Sequence, residues 1–417
     1  MTMKVLLHVP RYWPAIGGAE LHSRRLAQEL GAAVQVNVLS HCNQDYISLA
    51  QGAAVGTAAE FGDGETVVYQ TGFEGAARYV MQWLGRRYQQ QRFLRPLYAR
   101  AFQSLQAPRV REIVAGHDLV HSVYNGLTES AELLASVADK LGKPFVWSPL
   151  ASTDSKQGTA WSSKRFRRLY RRADALIALT EYERDWLVKQ GAQQEKVFVC
   201  PFGPLISDTV GVAVHDHLSD HDPVILFLGR VSHAKGIDYL SGATRHVWRD
   251  HPNARFVLIG PQEPRCRGLL TENRDPRLIA IEEVSQTEKC AWLKRCDLLC
   301  LPSRAESLGV VFLEAWAFRK PVVALRLPVL QRVISHGVDG LLSEHDSMAL
   351  AVAINRLLEN KPLASRMGHA GHGKLQHHYN WGDIARRVES IYRGVLKQSI
   401  QHTGMDQTIG ASRRFAT

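Results

Sequence analysis

The sequence predicts an α/β protein made of two doubly wound, Rossmann-like domains that face each other across a cleft. Three observations carry this. A chain of 417 residues is too long for one core, and two domains are the natural division. Short apolar runs alternate with helical patterns from Lys4 to Cys200, the pattern of a parallel sheet wound with helices. A polar stretch from Ser207 to Asp222 then interrupts the alternation, which restarts at Val224. The expected boundaries are 1–206 for the first domain, 207–222 for a linker and 223–380 for the second domain. A closing helix over 381–400 returns toward the first domain, and 401–417 is expected as a disordered tail.

Taken in order, Lys4 to Val9 reads as a buried strand, and Pro10 to Gly18 as a loop ending in Gly17-Gly18. Ala19 to Leu30 is helical by pattern, which makes strand, glycine loop, helix, the first half of a βαβ unit. Val34, Val36 and Val38 alternate as a second strand, and Thr66 to Gln70 is a third. Leu119 to Val123, Phe145 to Leu150, Ala175 to Leu179 and Val197 to Cys200 follow as strands, with helices over Ala131 to Leu141 and through Trp186. In the second half, strands are expected at Val224–Leu228, Arg255–Ile259, Leu278–Ile281, Leu298–Leu301, Val322–Leu325 and Gly340–Leu342. Helices are expected over Ile237–His251, Thr287–Arg295 and Met348–Leu358, behind Gly309, and over Trp381–Lys397.

Composition narrows the partners. Hydrophobic residues make up 45% and charged residues 22%, as in a soluble globular protein. A net charge of +11 calls for an anionic partner: nucleic acid, an acidic membrane surface or a phosphorylated small molecule. Nucleic acid fits least, because no RNA- or DNA-binding module is recognisable. No apolar run reaches the roughly 18 residues that span a bilayer. Met1 to Pro10 reads as a strand and not as a signal peptide. Cys42, Cys200, Cys266, Cys290, Cys296 and Cys300 form no Cys-x-x-Cys pair, so they are expected as buried thiols in a reducing, cytoplasmic setting.

One segment is distinctive in charge. From Gly75 to Arg111 there is no Asp or Glu, but there are eight arginines, interleaved with Tyr79, Trp83, Tyr88, Phe93, Leu97, Tyr98 and Phe102. This composition fits a basic amphipathic surface for anionic lipid, through residues such as Arg86, Arg87, Arg92 and Arg95. The ordinary alternative is a solvated helical face whose aromatics pack on their own domain. Lys164 to Arg172 is a second basic cluster.

The candidate site centres on Ser303 to Glu314. An apolar strand and Pro302 lead into a polar loop, Gly309, and a helix that carries Glu314 about one turn in. A helix N-terminus offers unpaired N–H groups and a positive dipole end to an anion, with Glu306 just before it. Arg230 and Lys235, within Gly229 to Gly236 at another strand end, place two cations near one diphosphate. Two carboxylates flanking an anion site suit a ligand with hydroxyls at both ends of a diphosphate, such as a nucleotide-sugar.

These motifs resemble those of the retaining GT-B glycosyltransferases of family 4 type, which include phosphatidylinositol mannosyltransferases and sucrose synthases. The match lies in Pro14 to Glu20 (Pro-x-x-Gly-Gly-x-Glu), Gly229-Arg230 with Lys235-Gly236, and Glu306 with Glu314, and it spans almost the whole chain. The resemblance implies an acceptor-side first domain and a donor-binding second domain. It implies that Arg230 and Lys235 bind the donor diphosphate, helped by backbone N–H groups around Leu308, Gly309 and Val310. Glu314 would hold ribose hydroxyls, Glu306 the donor sugar, and backbone near Val284 the base. Gly17 and Gly18 would lie against the diphosphate or the acceptor. Glu306, Arg230 and Lys235 would be the catalytic set, with no metal and no cofactor beyond the nucleotide-sugar, UDP or GDP. The implied reaction is retaining hexosyl transfer to an acceptor hydroxyl in polysaccharide, lipopolysaccharide or glycolipid assembly, in the cytoplasm or peripherally on the inner membrane face. Two positions depart from the family pattern. Val123 stands where a second histidine is frequent, leaving His121 as a packed strand residue, and Gln331 stands near a usual glutamate. They keep open a second reading, a catalytically weak GT-B protein that binds sugar or membrane as a partner.

Overall fold

The computed structural model describes residues 2–31, 34–44, 48–88, 90–124, 126–153, 158–207, 218–219, 221–266, 268 and 275–414, with side chains described as far as 401. Two sheets organise it. The first has eight strands: β1 (Met3–His8), β2 (Val34–Ser40), β3 (Ala59–Asp63), β4 (Thr66–Gln70), β5 (Leu119–Val123), β6 (Phe145–Ser148), β7 (Ala175–Ala178) and β8 (Val197–Val199). Their order is β3-β4-β2-β1-β5-β6-β7-β8. Every pairing is parallel except β3 with β4. The second sheet has β9 (Val224–Leu228), β10 (Arg255–Ile259), β11 (Leu278–Ile281), β12 (Leu298–Leu301), β13 (Val322–Leu325) and β14 (Gly340–Ser343). Its order is β11-β10-β9-β12-β13-β14, parallel throughout. The central strands are buried on both faces, which is why they read as unbroken apolar runs and not as alternating ones.

Strand order reverses between β1 and β5 in the first sheet and between β9 and β12 in the second. Such reversals open a crevice beyond the carboxyl ends of the strands, where the following loops part to opposite faces. The loops after β1, β9 and β12 therefore stand at the two switch points.

The first sheet is covered on both faces. One core gathers Leu6, Val120 and Trp147 with Met81, Leu84, Tyr98, Phe102, Leu134 and Phe166 from helices Gly75–Arg87, Arg95–Ala115, Thr128–Lys140 and Lys164–Arg172. The other gathers Val5, Leu7 and Val36 with Leu26 of helix Gly18–Glu29 and with Trp381, Ile384, Val388, Tyr392 and Val395 of the last helix.

Several elements differ from the sequence reading. Strand β3 and helix Leu49–Val55 were not expected. β3 is a largely exposed edge strand turned back antiparallel at Gly64, and the helix is short and made mostly of Ala and Gly. Helix Lys361–His378 was missed because three glycines oppose it by propensity, although Pro362 in its first turn is compatible with a helix start. Packing decides otherwise: a Cβ at Gly371 would lie 2.1 Å from the Trp316 indole, so the glycine is where another helix closes in. The last helix runs Trp381–Arg414, beyond the Lys397 at which the sequence pattern ends it. No proline interrupts it, and Arg393 reaches back to Glu389 at 2.7 Å. Positions 415–417, and 208–217 and 220 of the expected linker, lie outside the described residues.

No helix among the described residues is long and apolar enough to cross a membrane. All six cysteines are free and buried.

Candidate active site

β9 and β12 are neighbours, so the loops Gly229–Gly236 and Pro302–Gly309 leave the sheet side by side. A short turn over His233–Lys235 starts with Ser232 Oγ accepting from the Lys235 backbone N–H at 3.3 Å, and ends at Gly236 with φ +73°. A Cβ on Gly236 would fall 1.8 Å from the Pro302 carbonyl oxygen, so only glycine lets the two loops touch. Arg304 laces them further. Its backbone N–H donates to the Ala234 carbonyl at 2.9 Å, and its guanidinium to the His233 carbonyl at 2.6 Å. The same guanidinium forks onto Asp238 at 2.7 and 2.5 Å and lies 4.3 Å above the Tyr239 ring. Burial pushes the Asp238 carboxyl up, but the Arg304 fork outweighs it and holds the group below the usual range.

This brace sets Lys235 against Glu306. Lys235 Nζ donates to Glu306 Oε1 at 2.6 Å, with Glu306 buried and the lysine part-exposed. Gly309, at φ +74°, precedes helix Val310–Ala317, whose N-terminus has no side-chain cap. The Phe312 N–H is taken by the Gly309 carbonyl at 2.9 Å, and the Val310 and Val311 N–H groups ahead of it, next to buried Leu308, remain for an anion. Ser303 is fully buried, and its Oγ has no hydrogen-bond partner among the described residues.

Glu314 is buried one turn into this helix and is met by Lys289, whose Nζ lies 2.7 Å from Glu314 Oε1. Lys289 also donates to the Leu205 carbonyl at 3.0 Å, an acceptor shared with the Gln286 side-chain amide. Sequence reasoning missed Lys289. Its only signal is spacing: it stands four residues before the buried Leu293 on helix Gln286–Arg295, on an inward-facing side. Val284 is half-buried just ahead of that helix, which Ser285 and Glu288 start with a capping box.

Arg230 stands apart. It is exposed just after Gly229, and no hydrogen bond or ion pair holds it among the described residues. The site therefore contains two lysine–glutamate pairs and one uncommitted guanidinium. No cluster of metal-ligating side chains occurs among the described residues.

On the first sheet, Gly17 caps helix Gly18–Glu29 in an extended conformation. A Cβ on Gly17 would lie 2.3 Å from Glu20 Oε2, whereas one on Gly18 would meet nothing within 4 Å. Glu20 is buried and held by Arg11 Nε at 2.6 Å, so its carboxylate fills the space beside Gly17, and Gly18 presents the open side. His121 is a packed strand residue: its Nδ1 lies 2.7 Å from Tyr392 Oη and its Nε2 2.8 Å from Ser148 Oγ, and burial lowers its pKa to about 3. Val123 is buried in β5, and Gln331 is exposed on the short helix Leu330–Val333.

Comparison with known proteins agrees with this architecture. Residues 17–203 match the glycosyl transferase 4-like domain, and residues 215–374 match glycosyl transferases group 1. A D-inositol 3-phosphate glycosyltransferase of Xylanimonas cellulosilytica is 30% identical over 247 residues, which are 54% of this chain and 58% of that protein. The match thus spans little more than half of the relative's length. Among solved structures, sucrose-phosphate synthase from Thermosynechococcus elongatus aligns with a TM-score of 0.72 at 19% identity, over 95% of this chain and 100% of that one. Anabaena HepE in complex with UDP-glucose aligns with a TM-score of 0.69 at 16% identity, over 94% of this chain and 100% of that one. With two Rossmann-like sheets and both domain models matched in this order, the chain belongs to the GT-B glycosyltransferases of family 4 type.

Proposed function

We propose that the protein transfers a sugar from a nucleoside-diphosphate sugar to an acceptor hydroxyl, with retention, and that the acceptor is presented at an anionic membrane surface in polysaccharide or glycolipid assembly. The observation that carries the transfer is the arrangement at the β9/β12 switch point: Lys235 on Glu306, Lys289 on Glu314, an uncapped helix N-terminus after β12, and Arg230 exposed and unengaged at the end of the neighbouring β9. Negative charge builds on the leaving phosphate as the glycosyl bond breaks, and groups fixed in place beforehand favour that charge most in the transition state. Arg230, Lys235 and the open N–H groups at Val310 supply them without a metal. Glu314 accepts from ribose hydroxyls, and Glu306, oriented by Lys235, accepts from the donor sugar. No side chain here is assigned as a nucleophile. The acceptor hydroxyl attacks on the face from which the phosphate departs and passes its proton to that phosphate, which gives retention. UDP is the favoured nucleotide, supported by the UDP-glucose of the Anabaena neighbour, with GDP the other candidate.

The test is release of free nucleoside diphosphate from a panel of UDP- and GDP-sugars, after a thermal-shift screen for the nucleotide that raises stability. Turnover with at least one donor is expected. Tight nucleotide binding with no release from any donor would replace this reading with that of a non-catalytic sugar-binding partner.

A further inference from the structure

Helices Gly75–Arg87, Arg95–Ala115, Thr128–Lys140 and Lys164–Arg172 cover one face of the first sheet, and their inward side chains already fill its core. The outward side of the first two, and the turn Arg92–Leu94 between them, nevertheless exposes large apolar side chains. Tyr79 and Phe93 are each 76% exposed, Leu97 54% and Trp83 47%. Tyr79 and Trp83 are one helical turn apart, so they stand on one outer stripe opposite the buried Met81 and Leu84. A helix that has met its core on one side has no folding reason to carry large aromatics on the other. The sequence left two readings for these rings, and the structure divides them: Tyr98 and Phe102 pack inward, while Tyr79, Trp83 and Phe93 do not.

The charges around the exposed rings are equally one-sided. Arg87 lies 4.5 Å over the Trp83 ring, Arg95 donates to the Tyr88 carbonyl at 3.0 Å, and Arg109 pairs with Glu112 at 2.7 Å. Arg78, Arg86, Arg92 and Arg100 have no partner among the described residues. The acids of the adjoining helix are spent on other arginines: Glu129 and Glu132 on Arg165 at 3.1 and 2.6 Å, and Asp139 on Arg172 at 2.8 Å. Helix Gly75–Arg87 also follows closely on the carboxyl end of β4, the sheet edge that carries the loop after β1.

We infer that this face docks on an anionic lipid bilayer. Tyr79, Trp83, Phe93 and Leu97 enter the headgroup boundary, and Arg78, Arg86, Arg92 and Arg100 engage lipid phosphates around them. Aromatic rings favour that boundary because one end is apolar and the other wet, and each arginine adds attraction to a negative surface. The inference rests on the membrane-presented acceptor proposed above and assigns the surface that meets the membrane.

The test is flotation of the full chain with vesicles of phosphatidylcholine alone or with one third phosphatidylglycerol, beside nucleoside-diphosphate release with a soluble acceptor. The wild type is expected to float only with the anionic vesicles. Tyr79→Ser/Trp83→Ser/Phe93→Ser and Arg78→Gln/Arg86→Gln/Arg92→Gln/Arg100→Gln should each lower partitioning at least tenfold, with unchanged circular dichroism and unchanged nucleoside-diphosphate release in the presence of the soluble acceptor. Wild-type protein that stays in solution, or two variants that float as the wild type does, overturns the inference. So does preferential capture by single-stranded RNA without vesicle binding. Flotation without turnover on any donor would instead defeat the proposed transfer and leave the docking surface standing.

Discussion

Lys289 Nζ lies 2.7 Å from Glu314 Oε1 and 3.0 Å from the Leu205 carbonyl oxygen, so one ammonium joins a carboxylate of the candidate site to the segment that links the two sheets. A lysine in this place orients Glu314 and makes its orientation depend on where Leu205 sits. Lys289→Met is expected to raise the KM for the nucleotide-sugar about tenfold or more, since a charged hydrogen bond is worth about 1.5–3 kcal/mol, with a smaller change in kcat. Lys289→Arg should recover part of the loss. Steady-state kinetics with varied donor checks this, and an unaltered KM in the methionine variant would remove the orienting role.

The two carboxylate–lysine pairs give a sharper prediction. Glu314→Ala and Lys235→Ala should each lower kcat/KM by about 100-fold or more, the usual scale for one preorganised contact to developing charge, while circular dichroism stays that of the wild type. Arg230→Ala should lose a similar amount and should cost almost no stability, because the guanidinium holds nothing in the unliganded fold. If all three variants turned over at the wild-type rate, the site would lie elsewhere.

Gly236 is the steric hinge-point of the site. At φ +73°, with the Pro302 carbonyl 1.8 Å from where a Cβ would stand, Gly236→Ala should cost about 2 kcal/mol or more and shift the Lys235 turn off Glu306. A lowered denaturation midpoint together with lost transfer is expected. An alanine variant as stable and active as the parent would contradict the close approach of the two loops.

Acid should unfold the first sheet early. His22, His41 and His121 are buried, and desolvation lowers their pKa values to about 4, 3 and 3. A histidine kept neutral in the fold but free to protonate when unfolded contributes stability that is whole above pH 6.5 and is lost as pH falls toward the folded value. At pH 5 each costs about 2 kcal/mol relative to neutral pH. Glu183 acts in the opposite sense: burial raises its pKa to about 7, against the Ala151 and Leu179 N–H groups, so its contribution grows as pH falls below 7. Thermal midpoints measured from pH 8 to 4 should therefore fall on acidification, and His121→Asn should flatten the slope.

The legible parts of the fold were those with a local cause. β4, β5, β9, β10, β11, β12 and β13 lie where the sequence places them, because runs such as Val224–Leu228 are apolar on both faces and are closed by Gly or Pro. Glu306, Lys235 and Glu314 could be singled out because residue types that bind diphosphates and hydroxyls stand at strand ends. Lys289 could not be found that way. Its role comes from a contact with Glu314, 25 residues away, and with Leu205, 84 residues away. Helix Lys361–His378 was hidden for a related reason: its glycines oppose a helix locally, yet Gly371 is required by the Trp316 ring that packs on it and Gly368 by the close Arg319 carbonyl. The burial that divides Tyr98 from Tyr79 is likewise a fact of packing, not of composition.

The chain passes between its two sheets twice, once after β8 and once at Tyr379–Trp381. The two passages touch: Trp381 Nε1 donates to the Pro204 carbonyl at 2.8 Å, and the Gly203 Cα faces the indole so closely that a Cβ would lie 2.8 Å from it. The two connections are thus clasped at one place, two residues from the Leu205 carbonyl that holds Lys289. A bulkier residue at 203 would have to push the Trp381 indole aside, and would disturb the crossing of the two connections without touching the candidate site itself.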